Sequence, residues 1–217
     1  MPDAGRGRYP GYDVLDKRDT VSWNEQTRRV VDRRLALPRE PRFLTAHEFA
    51  TLTAVADRIV PQPRNRPPIP VAALVDEKLH HDRRDGYRQD GMPPEREAWQ
   101  RGLRALDEEA RHAHGAPFVE LPAAQQDALL HRMERGELAG PSWGGMPSGT
   151  FFKERMAKDV VFAYYAHPTA WNEIGFGGPA SPRGYVRLGY DERDPWEAVE
   201  ATPRNGEAAR RKNRRVG

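Results

Sequence analysis

Proline and glycine are concentrated in five short stretches of this chain, and this spacing limits what the rest can fold into. The 217 residues include 19 Gly and 20 Pro, well above the roughly 12% that is usual for the two together. The stretches are residues 1–11, Pro61–Pro70, Gly86–Pro94, Gly136–Gly149 and Gly175–Gly189. Because both residue types interrupt helices and central strands, regular structure must lie in the runs between them.

The clearest helix signal lies between the first and second of these stretches. Thr45 precedes Glu48 by three residues, which is the pattern of a capping box, in which each side chain bonds the other residue's backbone N–H. Apolar residues then recur at helical spacing until Pro61, which cannot continue a helix. We therefore predict a helix over residues 45–60.

Four further runs carry the same apolar period. They predict helices over about residues 71–81, 95–115, 121–135 and 148–167. No segment alternates apolar and polar residues convincingly, so a sheet is not indicated. The predicted fold is all-α, a small bundle of about five helices with an extended basic N-terminal arm and an irregular aromatic C-terminal segment.

The domain organisation follows from this division. Residues 1–42 form a basic, Pro-rich arm with one helix, Ser22–Leu37, and residues 43–168 form the helical core. Residues 169–202 place aromatic side chains among Gly and Pro, so we expect an extended segment. Residues 203–217 carry six basic groups and one acidic group, so we expect a disordered basic tail.

Composition excludes several kinds of chemistry. With no Cys, the chain cannot hold a disulfide, a Cys-ligated iron–sulfur cluster or a thiol nucleophile. The seven His lack the spacing of a metal site. The Gly-rich residues 175–178 lack the preceding strand and following helix of a phosphate-binding loop. Asp57 beside Arg58 is more consistent with an ion pair at a helix end than with an acid–base pair. We therefore assign no catalytic, metal or cofactor-binding residues to this chain.

Location in the cell is read from the apolar segments. No run approaches the roughly 18–20 consecutive apolar residues of a membrane span. The pairs Arg28-Arg29 and Arg33-Arg34 are not followed by the apolar region of a twin-arginine signal. We expect a cytoplasmic chain, with the periplasm, or export together with a partner, as the alternative.

Short motifs along the core occur in a telling order. They are Leu44-Thr45-x-x-Glu48, Ala56-Asp57-Arg58-Ile59-Val60-Pro61, Ala73-Leu74-Val75-Asp76, Arg101-Gly102-Leu103-x-x-Leu106, Phe118-x-x-Leu121, Phe151-Phe152, Tyr164-Tyr165-x-x-Pro168 and Trp171-x-x-Ile174-Gly175-Phe176-Gly177-Gly178-Pro179. In this order they resemble the gluconate 2-dehydrogenase subunit 3 family, over roughly residues 43–190.

The resemblance implies a non-catalytic small subunit of a flavin-dependent dehydrogenase. The implied partner is a large subunit similar to glucose–methanol–choline oxidoreductases, which binds FAD and oxidises a sugar or sugar acid. A haem-bearing electron-transfer subunit joins some of these complexes. The small subunit is implied to assist folding, stability or maturation of the large one, to hold no cofactor of its own and to have no activity alone.

The aromatic side chains of the two flanks do not recur at helical spacing, so we expect another surface to bury them. Buried aromatics dominate the energetics of protein interfaces. We therefore predict partner-binding residues in both flanks. They are Trp23, Arg28, Arg29, Arg33, Trp171, Ile174, Phe176, Tyr185 and Trp196. The arginines are expected to orient the complex on an acidic patch.

A second interpretation treats the chain as a stand-alone helical adaptor. Its basic tail would then bind nucleic acid or another acidic partner. No module for specific nucleic-acid recognition is visible.

Overall fold

The chain is described by a computed structural model over residues 7–20, 22–83, 86–179 and 197–215. Within these ranges the regular structure is helical and contains no strand, which confirms the all-α prediction. None of the described helices has the length and apolar character needed to cross a membrane.

The helices lie close to the predicted positions. Their bounds are α1 Glu25–Leu35, α2 Ala46–Ile59, α3 Val71–His80, α4 Glu95–His114, α5 Ala123–Glu134, α6 Ser148–Phe151, α7 Lys158–Ala166, α8 Pro168–Ile174 and α9 Gly206–Asn213. A π-helical segment, Phe152–Ala157, connects α6 to α7. The chain packs as two compact units, unit 1 (Met1–Leu37 with Tyr165–Gly217) and unit 2 (Pro38–Tyr164).

Unit 2 contains the predicted helical core. The capping box of α2 is present, because Thr45 and Glu48 bond each other's backbone N–H groups. Trp99 of α4 meets the Phe151 ring edge-on, with the ring centroids 5.5 Å apart. Gly102, one turn further along α4, allows this packing, since a Cβ there would lie 2.2 Å from Phe151 Cε1. The Gly of the Arg101-Gly102-Leu103 motif is therefore a packing requirement of the core.

A buried ionic network joins three elements of unit 2. The Lys78 Nζ of α3 lies 2.6 Å from Glu95 Oε1 of α4 and 2.8 Å from Asp159 Oδ1 of α7. Trp99 Nε1 donates to the other oxygen of Asp159, at 3.1 Å. Burial alone would lower the pKa of Lys78, but its hydrogen bonds to Asp159 and Glu95 outweigh burial and raise the pKa above its ordinary value. Lys78 is therefore charged and fixes the relative positions of these helices.

Unit 1 joins the two ends of the chain around its own small core. The residues of its core cluster come from the N-terminal arm and from the region after residue 165. They are Tyr12, Val14, Trp23, Val31, Trp171 and Ala198. A short 3₁₀ helix, Val14–Lys17, is tied to α8 because Asn172 Oδ1 accepts a hydrogen bond from Val14 N at 2.8 Å. The arm and the C-terminal part, predicted as separate segments, thus share one hydrophobic core.

Two expectations for the C-terminal part are wrong. Residues 168–174 form α8 rather than an extended segment, with Pro168 in the first turn, where its missing N–H costs nothing. The predicted disordered tail contains α9, and Asn213 is almost fully buried. The Asn213 amide accepts from Val199 N at 2.7 Å and donates to Pro10 O at 3.1 Å. These bonds order a helix whose charged sequence has almost no apolar face.

Candidate partner-binding surface

Two of the predicted anchors, Trp23 and Trp171, are core residues of unit 1, which corrects their assignment to an exposed interface. Their exposed fractions are 2% and 3%. Trp171 Nε1 donates to Tyr165 O at 2.7 Å, and its ring meets Phe176 edge-on at 5.4 Å. Both indoles are thus buried by other parts of the same chain. The residues that cover them are distant in sequence, so helical periodicity could not predict this burial.

The residues after α8 form a platform for the N-terminal arm, which we call the glycine segment (residues 175–178). Gly175 ends α8 with φ +67°, and a Cβ there would lie 2.6 Å from the Tyr9 ring. A Cβ on Gly178 would lie 3.0 Å from the Trp23 ring. The absence of a side chain at Gly175 and at Gly178 therefore allows aromatic rings of the arm to lie directly on the backbone at these two positions.

A hydrogen bond and a close approach of Lys17 also connect the arm to the glycine segment. Tyr12 Oη donates to Phe176 O at 3.4 Å. A Cβ on Gly177 would lie 3.0 Å from Nζ of Lys17, which is almost fully buried. The sequence placed these glycines in a Gly- and Pro-rich stretch and in the last motif, and predicted no packing role for them. One sequence feature could have predicted this packing: the chain combines a Gly-rich segment with an arm rich in Tyr and Trp. An aromatic ring can lie directly on a backbone where glycine leaves room for it.

Ile174 and Phe176, on either side of Gly175, remain partly exposed, at 45% and 38%. Phe176 is held in place, because its N–H donates to Trp171 O at 3.0 Å and its ring contacts the Trp171 ring. In unit 1, Leu35 at the end of α1 and Tyr165 at the end of α7 are exposed to a similar degree. We call these four side chains the unit 1 apolar set.

The three predicted arginines lie on α1. Arg28 is half-buried and donates to Arg18 O at 2.7 Å, while Arg29 pairs with Glu25 at 3.0 Å on the helix surface. Arg33 is exposed and forms no ion pair with any residue in the described part of the chain. Arg29 and Arg33 are thus available at the surface, whereas Arg28 has a structural contact.

The remaining predicted anchors, Tyr185 and Trp196, lie outside the described residues. Their role as partner-binding residues stays a prediction.

Within the described ranges, no three His, Asp or Glu side chains are grouped so that they could hold a metal ion. The hydrogen-bonded ion-pair partner of Arg58 is Asp127 rather than its neighbour Asp57. Its guanidinium donates to Asp127 of α5 at 2.7 and 3.0 Å, and this pairing holds the pKa of Asp127 below its ordinary value. The pair is an interhelical tie of unit 2.

The comparisons with known proteins agree with the order of the motifs. A family model described as gluconate 2-dehydrogenase subunit 3 matches residues 46–178 of the chain. Neither the curated proteins nor the solved structures include a significant match. The matched range ends at Gly178, the last residue of the glycine segment.

Proposed function

Because this chain belongs to the gluconate 2-dehydrogenase subunit 3 family, we propose that it is a non-catalytic small subunit that binds and stabilises an FAD-dependent large subunit. The proposed large subunit is of the glucose–methanol–choline type and oxidises a sugar or sugar acid. FAD belongs to that subunit, and an electron-transfer subunit can complete the complex. The family match over residues 46–178 carries this proposal.

The unit 1 apolar set supports a binding role. Ile174 and Phe176 are exposed on either side of a glycine cap, and their backbone is fixed by α8 and by the contacts to Trp171. An apolar side chain that is already ordered loses little conformational entropy on binding. This pair is therefore suited to be the apolar centre of an interface.

The exposed arginines of α1 suit a charged rim of an interface with the large subunit. Arg29 and Arg33 are four residues apart and therefore lie on one side of α1, where both are exposed. Cations at a rim contribute more to orientation and association rate than to affinity. An acidic patch on the large subunit would be their counterpart.

Co-expression with a candidate FAD-dependent large subunit of the glucose–methanol–choline type from the same genome tests the proposal. We expect a complex that elutes as one species, a higher yield of soluble large subunit and a higher FAD content per large subunit. The chain purified alone should be colourless and without dehydrogenase activity. Separate elution, with equal solubility and FAD content of the large subunit in its absence, would refute the proposal.

A surface variant tests the binding residues. Ile174→Glu places a carboxylate in the apolar set and should weaken the complex at least tenfold, as expected for a central interface residue. Ala124→Glu is the matched control, because it adds the same charge at an exposed position in the first turn of α5. Equal affinity of the two variants would exclude Ile174 from the interface.

A further inference from the structure

Unit 2 carries an exposed aromatic pair that its core does not use. Phe162 of α7 and Tyr87 of the loop between α3 and α4 are 62% and 53% exposed, the highest values among the large apolar side chains in the described ranges. Both rings flank one ammonium group, since Lys158 Nζ lies 5.0 Å from the Tyr87 centroid and 5.8 Å from the Phe162 centroid. We call these three side chains the aromatic clamp.

Tyr87 is exposed and nevertheless fixed. Lys158 Nζ donates to Tyr87 Oη at 2.6 Å, and Arg155 Nη2 donates to Tyr87 O at 3.2 Å. The Arg155 guanidinium also lies 5.8 Å from the ring centroid. An exposed ring usually pays rotamer entropy when it binds, but a ring already held at its hydroxyl and its backbone pays less. Such a ring has the properties of an interface anchor.

The backbone beneath the clamp is unusual. Phe152–Ala157 is π-helical over six residues, a rare conformation found mostly as single turns inside α-helices and often at functional sites. This segment includes Arg155 and leads directly into Lys158, the two residues that hold Tyr87. The less favourable backbone thus coincides with the residues that organise the exposed ring.

The sequence around the clamp carries a small excess of positive charge. The loop between α3 and α4 (residues 81–94) has three basic and three acidic residues, and residues 152–158 have three basic residues and one acidic residue. Aromatic rings that border a cation fit an acidic surface with an apolar residue at its centre. Two positively charged copies of this face would repel each other, so a second copy of the chain is the less suitable occupant.

We propose that the aromatic clamp is a second docking face for the large subunit and receives an acidic, apolar-centred part of its surface. This inference rests on the proposed function, because it takes the FAD-dependent large subunit as the partner. It assigns unit 2 a contact of its own, carried by residues separate from the unit 1 apolar set.

The test uses the FAD-loaded large subunit obtained by co-expression and measures its affinity for variants of the full chain by biolayer interferometry. Phe162→Ser should raise Kd at least tenfold without changing thermal melting, since the ring is mostly exposed. Tyr87→Ser should have a similar effect, and Tyr87→Phe a smaller one, because it keeps the ring. Lys158→Glu should slow association, most clearly at low salt.

Phe43→Ser is the matched control, since Phe43 is a partly exposed aromatic under a cation elsewhere in unit 2, with Arg96 at 4.3 Å from its ring. Its Kd should equal that of the wild type. Wild-type binding with unchanged Kd for Phe162→Ser and Tyr87→Ser would refute the docking face and leave the proposed function standing. No wild-type binding would refute both. A change in self-association by sedimentation, with large-subunit affinity retained, would assign the face to a second copy and overturn the inference.

Discussion

Replacing Trp171 by Ala tests whether this residue stabilises the core of unit 1 or serves only to bind a partner. In the structure its side chain is 3% exposed, its Nε1 donates to Tyr165 O, and its ring contacts Phe176. The Arg34 guanidinium lies 6.0 Å from the ring centroid. The substitution removes all of these contacts, including the hydrogen bond from Nε1 to Tyr165 O.

The expected loss is large compared with the stability available. A buried Trp→Ala change costs about 3–5 kcal/mol, and the lost hydrogen bond accounts for about 1 kcal/mol of this range. At roughly 0.05–0.15 kcal/mol per residue, a unit of about 90 residues has roughly 5–13 kcal/mol in total. We therefore expect Trp171→Ala to remove at least roughly a quarter of the stability of unit 1, while unit 2 keeps its own core.

Urea titration followed by far-UV circular dichroism measures this effect, and limited proteolysis locates it. Trp171→Ala should lose helical signal at low urea and become sensitive to cleavage within residues 7–35. Trp171→Phe, which keeps a ring but not the donor, should lose only about 1 kcal/mol beyond the reduced packing. Ile174→Ser should remain within about 0.5 kcal/mol of the wild type. The core assignment would be refuted if Trp171→Ala kept the wild-type urea midpoint but no longer bound the large subunit.

Three further predictions concern local features of the two units. Gly175→Ala should destabilise unit 1 by at least about 1–2 kcal/mol because of its left-handed backbone alone, and by more because the Tyr9 ring lies 2.6 Å from the new Cβ. Gly206→Ala is the control and should not destabilise the unit, since nothing lies within 4 Å of its Cβ. Equal urea midpoints for the two variants would contradict this prediction. Lys78→Met should cost about 3–5 kcal/mol in urea unfolding because it strands two buried carboxylates, and wild-type stability would show that the network is dispensable. Because Arg58 lowers the folded-state pKa of Asp127, their pair should stabilise the fold above the unfolded pKa of about 3.9 and lose its effect as pH falls through the folded value; wild type and Asp127→Asn should differ at pH 7 and converge at low pH, and a pH-independent difference would refute this.

Local signals in the sequence were sufficient for most of the helical core. The capping box at Thr45 placed the start of α2, and Gly115 marked the end of α4, where it adopts φ +75°. The π segment between α6 and α7 was not predicted, because apolar residues at Phe151, Met156 and Val160 fit a continuous α-helix as well. A period of 3.6 cannot show one widened turn.

The flanks were predicted poorly because their stabilising contacts are long-range. Trp23 lies against Gly178 and Asn213 bonds Pro10, in both cases across more than 150 residues. No helical period in the arm or in α9 reports such a contact. The unit 1 apolar set was partly anticipated, since Ile174 and Phe176 were predicted to bind a partner and are partly exposed. The aromatic clamp was missed because Tyr87 lies in a Pro- and Gly-rich loop.

The composition of unit 1 from both ends of the chain has a consequence for the timing of synthesis. Its N-terminal part is synthesised before any residue of unit 2. Its packing partners after residue 165 follow only when the roughly 130 residues of unit 2 have been made. At about 5–20 residues per second, Trp23 and its neighbours have no core to join for roughly 6–25 s. Unit 2 can fold during this interval, and unit 1 can close only when residue 165 and those after it have emerged. Protection of the nascent arm, by a chaperone or by a partner, would matter most in those seconds.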